Sequence, residues 1–204
     1  MDNLFTSEQL NHIREVKWNI TSHLSEMFSN KVWDYEDFEM KLFKNTYLTG
    51  GAIASLLQNE DPKDWDFYCK DSVTMDKFAL YLTHPSRTNF IKDVDEAYAE
   101  VYDTNGKMMS SYRWYTNGKM ITSQAITTKN NDSFITVLYG DPEYIRQTFD
   151  YVHCMPYFDL NTHKLYISPK QYKACTHKKL IVNNSANVKQ WRADKFKQRG
   201  YTDA

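Results

Sequence analysis

Two carboxylates stand two residues apart in Asp64-Trp65-Asp66-Phe67-Tyr68, and a glycine pair, Gly50-Gly51, opens the apolar run Ala52-Ile53-Ala54-Ser55-Leu56-Leu57. Residues two apart in a strand point to the same face, so Asp64 and Asp66 aim two negative charges at one point. Such a pair is costly unless a cation or a shared proton sits between the two groups. The glycines can bring backbone close to a ligand, and the start of the helix behind them offers unpaired N–H groups suited to an anion. Ser55, on that helix, is either a phosphate contact or a helix-surface serine, and Lys63 reads as a solvated loop residue.

These residues must be held by a strand running into the glycine turn, a short helix over 51–58 and a second strand over 64–68. Around them the spacing predicts other elements. Thr6-x-x-Gln9 is a capping box, and Ile13, Val16, Ile20, Leu24 and Met27 recur at helical spacing, giving a helix over about 7–28. A second helix is expected near Asp34, burying Phe38 and Leu42, and another over 76–82. Asn105-Gly106 and Asn117-Gly118 are hairpin turns separating strands at 97–102, 108–115 and 119–128, with a further strand at 134–139. Pro142 suits the first turn of a helix. Strands over 150–158 and 164–167 follow, and the chain beyond Pro169 is expected to be helical and basic.

The spacing Gly50-Gly51, twelve residues, then Asp64-Trp65-Asp66 resembles the signature of the nucleotidyltransferase superfamily, the DNA polymerase β-like fold. The local run looks most like the tRNA CCA-adding and poly(A) polymerase version. Those enzymes usually carry a basic residue soon after the glycines, where this chain has Ala54-Ser55. The block Phe134–Tyr139, Gly140-Asp141-Pro142-Glu143 and Phe149-Asp150 resembles phage and large-virus members, as does the ending Arg192-x-x-Lys195-x-x-x-Arg199-Gly200-Tyr201. The resemblance implies an α+β fold: a nucleotidyltransferase-like mixed β-sheet flanked by helices, with an antiparallel hairpin region and a helical basic C-terminus. It implies a domain over 1–168, with 169–204 packed on it.

The resemblance also implies chemistry. Asp64 and Asp66 would hold two Mg²⁺ ions, hard cations that take oxygen ligands, for an in-line displacement on an NTP. Gly50, Gly51 and Ser55 would bind the nucleotide. The family needs a third carboxylate from a neighbouring strand. Asp150, Asp132, Asp103 and Asp159 are the candidates, and Asp150 is favoured by its apolar flanks. The acceptor would be a hydroxyl of an RNA end, a small molecule or a protein. A catalytically inactive phage or viral structural protein, or a nucleic-acid-binding one, is the alternative.

Composition sets further bounds. The 204 residues include 15% aromatics and few glycines and prolines, enough for a packed core rather than a disordered chain. No apolar run approaches membrane-spanning length, so no membrane partner is expected. The N-terminus is no secretory signal, and Cys69, Cys154 and Cys175 form no disulfide framework, so the expected place is a cytoplasm, the host's if the protein is viral. A virion or a host component is then a possible partner. Cys175-x-His177 with His153 and Cys154 lacks the paired spacing of a zinc site. The net charge of −1 conceals a basic end: 164–199 holds ten Lys and Arg against one acid, Asp194. Arg192, Lys195 and Arg199 recur on one helical face suited to phosphate or nucleic acid, with Trp191 and Phe196 expected to dock that helix.

Overall fold

The computed structural model describes residues 4–29, 43–82, 96–104, 107–116, 119–121, 125–128 and 130–204. The expected helix near Asp34 and the turns at 105–106 and 117–118 lie outside them. The fold is α+β, a mixed sheet flanked by helices. Helix α1 (Ser7–Ser29) is followed by β1 (Thr46–Thr49), α2 (Gly51–Leu56), β2 (Trp65–Cys69) and α3 (Ser72–Leu82). Strands β3 (Glu96–Thr104), β4 (Lys107–Thr116) and β5 (Lys119–Ile121) form a separate three-stranded sheet. The chain then returns to the main sheet through β6 (Ala125–Thr127), β7 (Asp132–Ile135), α4 (Pro142–Gln147), β8 (Tyr157–Asp159) and β9 (Lys164–Tyr166). Helices α5 (Pro169–Thr176) and α6 (Gln190–Gln198) and the short parallel pair β10 (Lys179–Leu180) and β11 (Thr202–Asp203) complete it.

The main sheet runs β6-β7-β2-β1-β8-β9, with β2 and β7 parallel and the other pairs antiparallel. Period-two alternation splits its residues between two faces. Leu48, Phe67, Phe134 and Phe158 share one face and are buried with Ile53 and with Val16, Ile20 and Leu24 of α1. Phe134 sits between Phe67 and Phe78, with ring centroids 5.1 and 4.7 Å away. The opposite face carries Tyr47 and Tyr157, closed by Ile145 of α4. The capping box forms as expected: Thr6 N–H donates to Gln9 Oε1 at 2.9 Å, and Gln9 N–H to Thr6 Oγ1 at 3.2 Å.

Three expected strands differ. The run 119–128 divides into β5 and β6, which belong to different sheets. The strand expected over 134–139 is β7, earlier and shorter. The strand expected over 150–158 is a single 3₁₀ turn, Val152–Cys154, followed by β8. The turn forms because the Cys154 carbonyl is taken by Gly50 N–H at 3.1 Å and Thr49 Oγ1 at 3.2 Å, while Pro156 has no N–H to give a ladder. Helix α3 begins earlier than its apolar spacing indicates, because Asp71 Oδ1 accepts from Thr74 N–H at 2.7 Å and caps it.

Phe134 is the centre of the aromatic core, so Phe134→Ala is expected to cost about 3–5 kcal/mol, read as a lowered midpoint in urea at unchanged slope.

Candidate active site

Gly50 joins β1 to α2 with φ +88°, a conformation that L side chains rarely adopt. A Cβ built there would lie 3.4 Å from Asp66 Oδ2, close to ordinary contact, so the positive φ rather than crowding is what calls for glycine. Gly51 differs: a Cβ there would meet nothing within 4 Å. Its surface is open to the pocket, which is where a ligand could approach the backbone.

Asp64 lies just before β2 and Asp66 within it, opposite Thr49 of β1 and Ser133 of β7. Both aspartates line one pocket with Gly51, Ser55, Lys63 and Cys154. The far wall is α6 and its C-cap, which contribute Arg192, Lys195, Phe196 and Arg199. Burial pushes the Asp66 carboxyl up to about 6; the Asp64 charge pushes the same way, and Arg192 and Lys195 pull it back. The result is a strained acid pair facing a basic wall, an arrangement that a divalent cation and an anionic ligand together would neutralise. Burial also pushes the Cys154 thiol up to about 12, so it lines the pocket as a neutral group.

The sequence candidates for a third carboxylate go elsewhere. Asp150 is buried with its side chain 3% exposed; Oδ2 accepts from Arg192 Nε and Oδ1 from Tyr151 N–H at 3.0 Å. It lies before the 3₁₀ turn rather than on a strand of the sheet, and it does not line the pocket. Asp132 is in register with Trp65, on the opposite sheet face from Asp66. There it binds His23 Nε2 at 2.6 Å and Thr128 Oγ1 at 2.8 Å. Asp159 accepts from Thr162 N–H at 2.8 Å at the end of β8, and Asp103 belongs to the separate hairpin sheet. The position beside Asp66 on β7 is held by Ser133, whose hydroxyl pairs with Thr127 Oγ1 at 3.0 Å. Among the described residues, no group of three or more His, Cys, Asp or Glu gathers around a metal-sized space. Asp64 and Asp66 are the two carboxylates that line this pocket.

Three cations of the basic end, Arg192, Lys195 and Arg199, face the acid pair, whereas Lys164, Lys170, Lys173, Lys189 and Lys197 are exposed. Arg199 Nη2 donates to Ser55 Oγ at 3.0 Å, so the buried Ser55 anchors the C-terminal segment. Glu60 accepts from Lys178 at 2.6 Å and lies 3.9 Å from Arg199. Phe196 docks α6 as expected, but Trp191 does not: it is 63% exposed. Lys63 lines the pocket although its loop position suggests only solvation. The signal for this wall is the one-face spacing of Arg192, Lys195 and Arg199.

Behind α6, His153 is wholly buried among Phe196, Tyr201 and Tyr151, with centroids 4.5, 4.4 and 5.7 Å away. Neither ring nitrogen has a partner among the described residues. Burial, followed by the charges of Arg192 and Arg199, lowers its pKa to about 3.

Comparison with known proteins adds four findings. The family described as Gad2, Gabija anti-defense 2 family protein, matches residues 19–178. The CCA-adding enzyme of Thermotoga maritima complexed with tRNA is similar in structure, with TM-score 0.48 and 13% identity over 88% of this chain and 42% of that one. A CCA-adding enzyme in complex with CTP gives TM-score 0.47 and 14% identity over 89% and 42%, and the Bacillus stearothermophilus enzyme with CTP gives 0.42 and 14% over 83% and 40%. The chain spans less than half the length of these enzymes, and no curated protein matches it.

The two glycines are expected to respond differently. Gly50→Ala must adopt the positive φ, lowering stability by about 1–2 kcal/mol, whereas Gly51→Ala melts like the unsubstituted protein. Thermal melts of both variants check this. For His153, the folded protein resists a proton that the unfolded chain takes up below about pH 6.5. Stability is therefore intact above that pH and falls as pH drops toward 3, by on the order of 2 kcal/mol at pH 5 from this residue alone. His153→Phe should flatten that part of the pH profile in chemical denaturation.

Proposed function

The chain belongs to the Gabija anti-defense 2 family, and from that premise we propose that it is a Mg²⁺-dependent nucleotidyltransferase that acts against a defence system by modifying a hydroxyl acceptor. One observation carries the reading: Asp64 and Asp66 meet Lys63, Arg192, Lys195 and Arg199 in a single pocket over the open backbone of Gly51. Carboxylates alone would suit a metal, and cations alone would suit any anion. Their convergence suits a metal-bound polyphosphate. The spacing of the glycines and aspartates, which resembles the nucleotidyltransferase signature, supports the same reading.

In this reading Asp64 and Asp66 hold the divalent ion, which when bound supplies charge to the phosphates and a template for the displacement. No third carboxylate lines this pocket among the described residues, so Asp64 and Asp66 would be the side chains that hold the metal. Gly51 admits the triphosphate, and Arg192, Lys195 and Arg199 neutralise it. The acceptor oxygen bonds to the α-phosphorus as the bond to pyrophosphate breaks, and the acceptor proton passes to solvent. The acceptor is an RNA end, a small molecule or a protein side chain of the host. No helix among the described residues is long and apolar enough to cross a membrane. We place the activity in the host cytoplasm.

The test is transfer of label from each α-labelled NTP, with Mg²⁺, to host RNA and host protein. Transfer is expected with the unsubstituted chain and is lost with Asp64→Asn or Asp66→Asn. Metal-dependent NTP binding without transfer would instead favour a non-catalytic nucleotide-binding role. Absence of both would sink the proposal.

A further inference from the structure

We infer that Asp150 is a positioning residue for Arg192, fixing its guanidinium as the cation that grips phosphate at the Asp64/Asp66 pocket, rather than a metal ligand. The inference rests on the nucleotidyltransferase reading of that pocket. Asp150 is held from several sides. Its Oδ1 accepts from Tyr151 N–H at 3.0 Å, and its own carbonyl accepts from Asn183 N–H at 2.7 Å and Asn184 N–H at 3.3 Å. Its Oδ2 meets Arg192 Nε. A carboxylate so placed is desolvated, and the guanidinium is the charge that makes its burial tolerable.

Arg192 is constrained in turn. Its guanidinium carbon lies 5.3 Å from the Phe196 ring centroid, and Nη2 lies 4.0 Å from Cys154 Sγ. Phe196 is itself buried against His153 and Tyr201. With Nε on Asp150 and Nη2 donating to Cys154 Sγ, Nη1 is the nitrogen the side chain can offer in full to the pocket it lines. A fork held at its stem loses little freedom on meeting a phosphate. Asp150 therefore acts on the ligand through Arg192. The same pairing keeps its carboxylate from serving as a metal ligand.

Two binding readouts separate this role from a metal-ligand role: Mn²⁺ affinity by electron paramagnetic resonance, and affinity for inorganic triphosphate by calorimetry. Asp150→Asn is expected to leave Mn²⁺ affinity within about twofold and to weaken triphosphate binding about tenfold, as loss of one charge-assisted contact does. Arg192→Gln should do the same, and Asp150→Asn/Arg192→Gln should be no weaker than Arg192→Gln alone. The double variant removes both charges and so leaves neither buried alone; if Asp150→Asn does not fold, its comparison with Arg192→Gln still decides. Triphosphate losses that add, or Mn²⁺ affinity that falls when Asp150→Asn is added to Arg192→Gln, would overturn the inference. The underlying reading has its own control, since Mn²⁺ affinity unchanged by Asp64→Asn would defeat it whatever Asp150 does.

Discussion

The site hangs on one backbone crossing. Gly50 N–H donates to the Cys154 carbonyl at 3.1 Å, and Thr49 Oγ1 donates to the carbonyls of Cys154 and Pro156 at 3.2 and 2.8 Å. This small set of bonds ties the end of β1 to the 3₁₀ turn more than a hundred residues later. On one side of the crossing the positive φ of Gly50 starts α2 beside the Asp66 carboxylate. On the other, the turn carries His153 and Cys154 to the inner surface of α6. The acid pair and the basic wall thus face each other because one glycine and one buried threonine hold their supports together.

Charge explains the rest of the arrangement. A buried aspartate beside another aspartate is unfavourable, and the protein offsets it with cations from a distant helix instead of from the helix that follows the glycines. Ser55 joins the two helices: its hydroxyl receives Arg199. His153 lies behind α6 without a hydrogen-bond partner among the described residues, and burial first, then the charges of Arg192 and Arg199, bias it against its charged form.

The parts of this design written in local sequence were readable. Gly50-Gly51 and Asp64-x-Asp66 announce a turn, a helix and a strand in order, and Thr6-x-x-Gln9 announces the start of α1. The 3.6 spacing of Val16, Ile20 and Leu24 shows which side of that helix is buried. What was not readable depends on contacts between distant segments. Apolar residues around Asp150 suggest a strand, but the Cys154 carbonyl is claimed by Gly50 and the backbone turns instead. Trp191 looks like a docking residue by type alone, yet Phe196 takes that place. The role of Asp150 depends on Arg192, forty-two residues away, a pairing that no local pattern encodes.

In the proposed function, Asp64 and Asp66 would hold a divalent ion whose polyphosphate ligand is gripped by α6. The most direct measurement is a crystal structure with Mn²⁺ and a non-hydrolysable NTP analogue, using anomalous scattering to locate the metal. A manganese peak beside Asp64 and Asp66 is expected, with phosphate oxygens on Arg192 and Lys195 and over Gly51. Nucleotide bound without metal at the two aspartates, or manganese bound away from them, would contradict the proposed function.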